Sequence, residues 1–194
     1  AKIYQENGIK NTVSIYNLPP KVNQLVKKPH DQTVVLSVGK LSYGKGTDTI
    51  LKAALKLPQV KFLLAGSKNI SLKTDFPQNC QYLGQLPHQE TINLYQTADV
   101  FIINSRWPEP LSRAGLEALS FGLPIIASDR GGNQELIKDN GFLVDPENTQ
   151  EIIQAINKAL TKPEFRKASQ DLLITRFNRR KILRSHLDLY QKLI

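Results

Sequence analysis

From Thr33 onward the chain alternates short runs of Val, Ile, Leu and Phe with longer segments of helical periodicity. That alternation is the signature of βα units laid on a parallel sheet. Strands are expected at Thr33–Val38, Val60–Ala65, Cys80–Leu83, Asp99–Ile103, Pro124–Ala127 and Gly141–Val144. Their nearly unbroken apolar content is that of strands covered on both faces. Between them the spacing predicts helices at Gly46–Leu57, His88–Thr97, Ser112–Phe121, Asn133–Ile137 and Glu147–Leu160. The fold class is therefore α/β, a Rossmann-like parallel sheet with helices on both faces.

The two ends stand apart from this alternation. Residues 163–194 read as two further helices, the last running from about Asn178 with Ile182, Leu183, Leu187, Leu189 and Tyr190 set among Arg179, Arg180, Lys181 and Arg184. A basic amphipathic helix of this kind fits a solvated face, a membrane-surface element or a docking surface for an absent partner. At the other end Asn7-Gly8 marks a turn, Thr12–Tyr16 reads as one strand, and Pro19-Pro20 with Lys27-Lys28-Pro29 reads as a connector. The expected division is a linker over residues 1–30, a Rossmann-like domain over 31–175 and a C-terminal amphipathic helix over 176–194. With no Met anywhere, initiator included, the chain reads as a piece of a longer protein.

The formal charge of +9 is distributed unevenly. Residues 1–30 hold five basic and one acidic side chain, residues 31–160 twelve and thirteen, and residues 161–194 nine and three. A nucleic-acid reader is expected to interleave basic and aromatic residues across its working surface, so the neutral middle block argues against nucleic acid as a partner. Cys80 is the sole cysteine and cannot close an intrachain disulfide, which fits a reducing, cytoplasmic setting. His30, His88 and His186 lie far apart with no second ligand at helical spacing, so no metal site is expected. No apolar run approaches the 18 or so residues that span a bilayer.

Ligands of open parallel sheets bind beyond the carboxyl ends of the strands, which directs attention to the loops that follow them. The first reads VGKLSYGKG from Val38 to Gly46. Gly39 and Gly46 let backbone approach a ligand, and Lys40, Lys45 and the amides of the next helix make a site for a diphosphate. It is not a Walker A loop, because a Gly-Lys-Ser/Thr at the required distance is missing. A Gly-rich turn with two solvated lysines remains the competing reading.

In the second loop, Glu109 lies between Pro108 and Pro110, which hold it in extended or turn backbone ahead of the helix. Ser112 is a suitable N-cap, leaving the N–H groups around Leu111 to Ala114 open to an anion. Glu117 falls more than one turn inside that helix, as either a surface residue or an acceptor for hydroxyls such as a ribose diol. The third loop, Ser128 to Asn133, carries the pair Gly131-Gly132, which suits a close approach to a neighbour or a ligand.

Taken in order, these segments resemble the nucleotide-sugar-binding, C-terminal domain of glycosyltransferase family four, retaining enzymes of the two-domain GT-B fold. The resemblance runs from Val35 to Leu160. It is carried by the Glu-x7-Glu signature, Glu109 to Glu117 within EPLSRAGLEALSFGLPIIAS, by GGNQELI after it, by VGKLSYGKG and by YLGQLP. IYNLPP resembles the interdomain hinge, and the last helix resembles the one that returns to the N-terminal domain. Lys40 stands where the family most often has Arg, and Leu111-Ser112 where a Gly is common.

The resemblance implies a donor-binding domain for a nucleoside diphosphate sugar, a UDP-, GDP- or ADP-sugar, with no separate cofactor and no catalytic metal. Gly39, Lys40 and Lys45 would meet the diphosphate, with backbone amides at Leu111 and Ser112 assisting. Glu117 would accept hydrogen bonds from the ribose, Gln85 and Leu86 would meet the base through backbone, and Glu109 would be the catalytic residue beside the transferred hexose-type sugar. The acceptor, a glycan or a lipid-linked molecule in polysaccharide biosynthesis, would be held by an N-terminal domain absent from this sequence. The isolated domain would bind nucleotide and transfer nothing. The basic last helix adds an anionic membrane surface as a candidate partner, at the inner face of the membrane. The alternative reading is a non-catalytic nucleotide-sugar-binding module, itself a candidate for the membrane surface.

Overall fold

The computed structural model describes residues 7–8, 12–21, 31–69, 72 and 75–192. His30 and the Lys27-Lys28-Pro29 connector lie outside the described residues. Strands β1 (Val34–Val38), β2 (Lys61–Ala65), β3 (Cys80–Gly84), β4 (Val100–Ile103), β5 (Ile125–Ser128) and β6 (Gly141–Val144) each fall within about one residue of the expected spans. They form one parallel sheet in the order β3-β2-β1-β4-β5-β6. β1 therefore pairs with β2 on one side and β4 on the other, Val35 opposite Val100 and Leu36 opposite Phe101. The carboxyl ends of β1 and β4 flank the point where the strand order reverses.

Helices α1 (Thr47–Lys56), α2 (His88–Thr97), α3 (Arg113–Ser120), α4 (Thr149–Leu160), α5 (Glu164–Thr175) and α6 (Arg179–Gln191) cover the sheet. Strand residues of one parity, Val35, Phe62, Leu64, Val100, Ile102 and Ile126, pack with Ile50, Leu51 and Ala54 of α1 and Ile152 and Ile156 of α4. Those of the other parity, Leu36, Leu63, Phe101, Ile125 and Ala127, pack with Tyr95, Leu116, Leu119, Leu172, Leu173, Phe177 and Ile182. Two-residue periodicity thus sends alternate side chains into two separate cores.

Two expectations are corrected. The segment expected as a helix at Asn133–Ile137 is a 3-10 helix, Gly131–Leu136, which opens on Gly131 in a left-handed conformation (φ 56°). Thr12–Tyr16 forms no strand. Side chains anchor it instead: Ile15 and Tyr16 pack on the second core, the Tyr16 ring meets Phe177 edge-on at 5.1 Å, and its hydroxyl donates to Glu135. That bond, with burial and the charge of Glu135, raises the Tyr16 phenol above its ordinary value. Pro19 is tied down as well, its carbonyl accepting from the Arg179 guanidinium at the start of α6.

Candidate functional site

The loop after β1 is built for close approach. Gly39 has φ 150°, a conformation that side chains rarely adopt, and open space lies where its Cβ would be. Ser42 Oγ accepts from the Lys45 amide at 3.3 Å, closing a 3-10 turn over Tyr43–Lys45. Gly46 follows at φ 61°, and a Cβ there would fall 2.2 Å from the Asn104 carbonyl oxygen. The glycines of this loop therefore serve two ends: Gly46 packs the loop against the backbone just after β4, and Gly39 leaves open space beside it.

The loop after β4 brings Glu109 to meet it. Lys45 Nζ and Glu109 Oε1 form an ion pair, and Ser105 Oγ donates to the same oxygen at 2.8 Å. Gly39, Lys40, Lys45, Glu109 and Ser112 line one cavity of about 60 Å³, with Thr47, Asn104 and Ser105 in its wall. Paired in this way, the two side chains bridge the loops after β1 and β4.

The third loop proves to be a support. The Gly132 amide donates to the Glu109 carbonyl at 2.7 Å, and a Cβ on Gly132 would lie 1.4 Å from the Pro110 carbonyl oxygen. A Cβ on Gly131 would lie 2.5 Å from the Glu109 carbonyl oxygen. Of the two readings of this glycine pair, close packing on a neighbour is the one realised, and the neighbour is the Glu109 backbone.

Gln85 and Leu86, just past β3, share a second cavity of about 250 Å³ with Gly39, Gly66, Ser67 and Thr91. It adjoins the first through Val38 and Gly39. Ser112 caps α3 as expected, accepting from the Gly115 amide at 3.1 Å. Leu111 packs its side chain against the second core and, unlike Ser112, does not line the cavity. Glu117 stands away from the Lys45–Glu109 pair. It lines a third cavity of about 230 Å³ with Pro19, Pro20, His88, Arg113 and Arg179, and accepts the Tyr95 hydroxyl at 3.0 Å.

Three contributors escaped the sequence reading. Arg106 binds Asp48 through both guanidinium branches at 2.7 and 3.0 Å, donates to Thr49 Oγ1 at 2.9 Å and to the Tyr43 carbonyl, and stacks 4.0 Å from the Tyr43 ring. Its own amide donates to the Gly44 carbonyl at 2.9 Å, so the loops after β1 and β4 are riveted together. Burial by itself would raise the Asp48 carboxyl, but the hydrogen bonds and charge of Arg106 hold it below its ordinary value. Ser105 and Tyr95 are the other two. The one signal for Ser105 and Arg106 was their place directly after a strand; for Tyr95, inside the helix expected at His88–Thr97, there was none.

The family model for glycosyl transferases group 1 matches residues 21–171. The chain belongs to this family. Its relatives include spore coat protein SA of Bacillus subtilis, 33% identical over 84% of this chain and 50% of that protein. Another is a GDP-mannose-dependent phosphatidylinositol monomannoside mannosyltransferase of Corynebacterium glutamicum, 30% identical over 71% of this chain and 41% of that protein. The group 1 domain thus spans about half or less of the curated relatives it matches.

Solved structures agree on the fold. HepE of Anabaena in complex with UDP and glucose superposes at a TM-score of 0.77 with 23% identity, over 91% of this chain and 56% of that one. TarM superposes at 0.79 with 19% identity, over 97% of this chain and 41% of that one. The group 1 domain has the Rossmann-like architecture of one half of a GT-B glycosyltransferase.

Proposed function

We propose that this group 1 domain is the donor-binding half of a retaining glycosyltransferase that moves a hexose-type sugar from a nucleoside diphosphate to a glycan or lipid-linked acceptor. The observation that carries the reading is the convergence of Lys45 and Glu109, 64 positions apart, at the strand-order reversal. Lys40, Lys45 and the amides at the start of α3 take the diphosphate, whose negative charge grows as the glycosidic bond to the donor breaks. Glu109, held by Ser105 and the Gly131-Gly132 turn, faces the sugar carbon at which that bond breaks. Gln85 and Leu86 border the base cavity, and Glu117 takes the ribose.

The chemistry needs an acceptor held opposite this surface. Residues 1–30 serve as the connection to an N-terminal acceptor domain, and α6 docks against it. Support comes from the exposed apolar stripe of Leu183, Leu187 and Tyr190 on α6. The same stripe lies among Lys181 and Arg184, which fits a peripheral position on an anionic membrane at its cytoplasmic face.

Calorimetric titration of the chain with UDP, GDP and ADP, with and without EDTA, tests the donor reading. UDP leads because it occupies the HepE structure. Saturable binding of one diphosphate, unchanged by EDTA, is expected. If none binds at millimolar concentration, to the chain or to a full-length protein containing it, the reading falls and the non-catalytic alternative falls with it.

A further inference from the structure

We propose that Tyr95 is a positioning residue that presents the Glu117 carboxylate to the ribose of the donor nucleotide. The inference rests on the reading of Glu117 as the ribose acceptor. The Tyr95 ring is held by the second core, stacked on Phe121 at 5.5 Å with an 8° tilt and against Phe101 at 5.6 Å. At 1% exposure its hydroxyl has no access to solvent and must find its partner inside the protein. It donates to Glu117 Oε2 at 3.0 Å, across from α2 to α3.

A buried phenol does not need a carboxylate for this purpose. The Ala114 carbonyl lies 3.4 Å from the same hydroxyl and could accept its one proton after a small shift. A half-buried carboxylate beside it therefore has a use beyond satisfying Tyr95. With Oε2 engaged by Tyr95, no described residue donates to Oε1, and the carboxylate borders the cavity that His88 and Arg113 share. Burial, with the charge and hydrogen bond of Glu117, pushes the Tyr95 phenol above its ordinary value, so it stays a donor. The rotamer freedom of a Glu side chain is thus given up when the protein folds, and the ligand meets an acceptor already aimed.

The test compares UDP with 2′-deoxy-UDP by calorimetry on the whole chain, with the GDP and ADP pairs run alongside, for the native protein, Tyr95→Phe, Glu117→Ala and the double variant. Tyr95→Phe keeps the ring and removes one oxygen; a thermal melt verifies that it folds. The native protein is expected to prefer the ribonucleotide by about tenfold or more, and Glu117→Ala to abolish that preference. Tyr95→Phe should cut the preference about threefold to fivefold while leaving 2′-deoxy-UDP affinity unchanged, and should have no further effect on selectivity once Glu117 is Ala. A merely structural tyrosine would weaken both nucleotides equally. Full preference in Tyr95→Phe, with loss in Glu117→Ala, overturns the positioning role and leaves the ribose reading standing. Full preference in Glu117→Ala overturns the ribose reading and the inference with it, as does failure of every diphosphate to bind.

Discussion

Lys45 and Glu109 neutralise one another across the crevice between the β1 and β4 loops, with Ser105 as a third partner to the same carboxylate oxygen. The cation that would grip a diphosphate already holds an internal anion. On the proposed donor reading, an incoming diphosphate would compete with Glu109 for Lys45, and its arrival would free Glu109 to face the sugar.

Glu109→Gln should consequently tighten nucleoside diphosphate binding by about twofold to fivefold, since it removes the competing charge and keeps the shape. Lys45→Ala and Glu117→Ala should each weaken it by about 1–3 kcal/mol. Isothermal titration at fixed ionic strength reads all three. A loss in Glu109→Gln equal to that in Lys45→Ala would show that the carboxylate itself helps to hold the nucleotide.

The Arg106–Asp48 rivet carries a pH signature. The Asp48 carboxyl is held low in the folded protein, so the stabilisation is complete above the unfolded carboxylate value of about 3.9 and is lost as pH falls through the folded value. Arg106→Lys keeps the charge and loses the fork, and should cost about 1.5–3 kcal/mol at pH 7. Denaturant unfolding between pH 7 and pH 3 should show that deficit shrinking below about pH 4. A deficit that grows on acidification contradicts this account.

Gly132→Ala tests the support beneath Glu109. Its methyl would land on the Pro110 carbonyl oxygen, a backbone atom that cannot swing aside. The substitution should destabilise by at least about 1 kcal/mol and displace the Glu109 loop. A thermal melt indistinguishable from the native one would refute that role.

Cys80 offers an alkaline test. Burial pushes its thiol up to about 12 from 9.0, so it stays protonated and inert to alkylation at pH 8 while the protein is folded. Between those two values the unfolded chain sheds a proton that the folded chain keeps, and stability falls as pH rises. Cys80→Ala should flatten the decline over that range. Rapid labelling by iodoacetamide under native conditions would show that the thiol is reached without unfolding.

The α/β class, the six strands, the long helices and the positions of Gly39, Gly46, Ser112 and the two glutamates were legible in the sequence, because each rests on a few consecutive residues. Two-residue alternation, a turn glycine or an N-cap serine acts over one strand or one turn of helix. The short, Gly-led Gly131–Leu136 turn and the Ile15-Tyr16 segment misled the reading for the same reason: their conformation is set by what they touch.

Which charges meet was decided by the tertiary structure alone. Lys45 reaches Glu109 over 64 positions, Arg106 reaches Asp48 over 58, and Tyr95 reaches Glu117 over 22. The first two contacts exist because the strand order sets β1 beside β4, and the third because α2 and α3 share the second core with β4. Local periodicity sends side chains to a face of the sheet, but only the packed sheet determines which loops end up opposite one another and so which residues form the site.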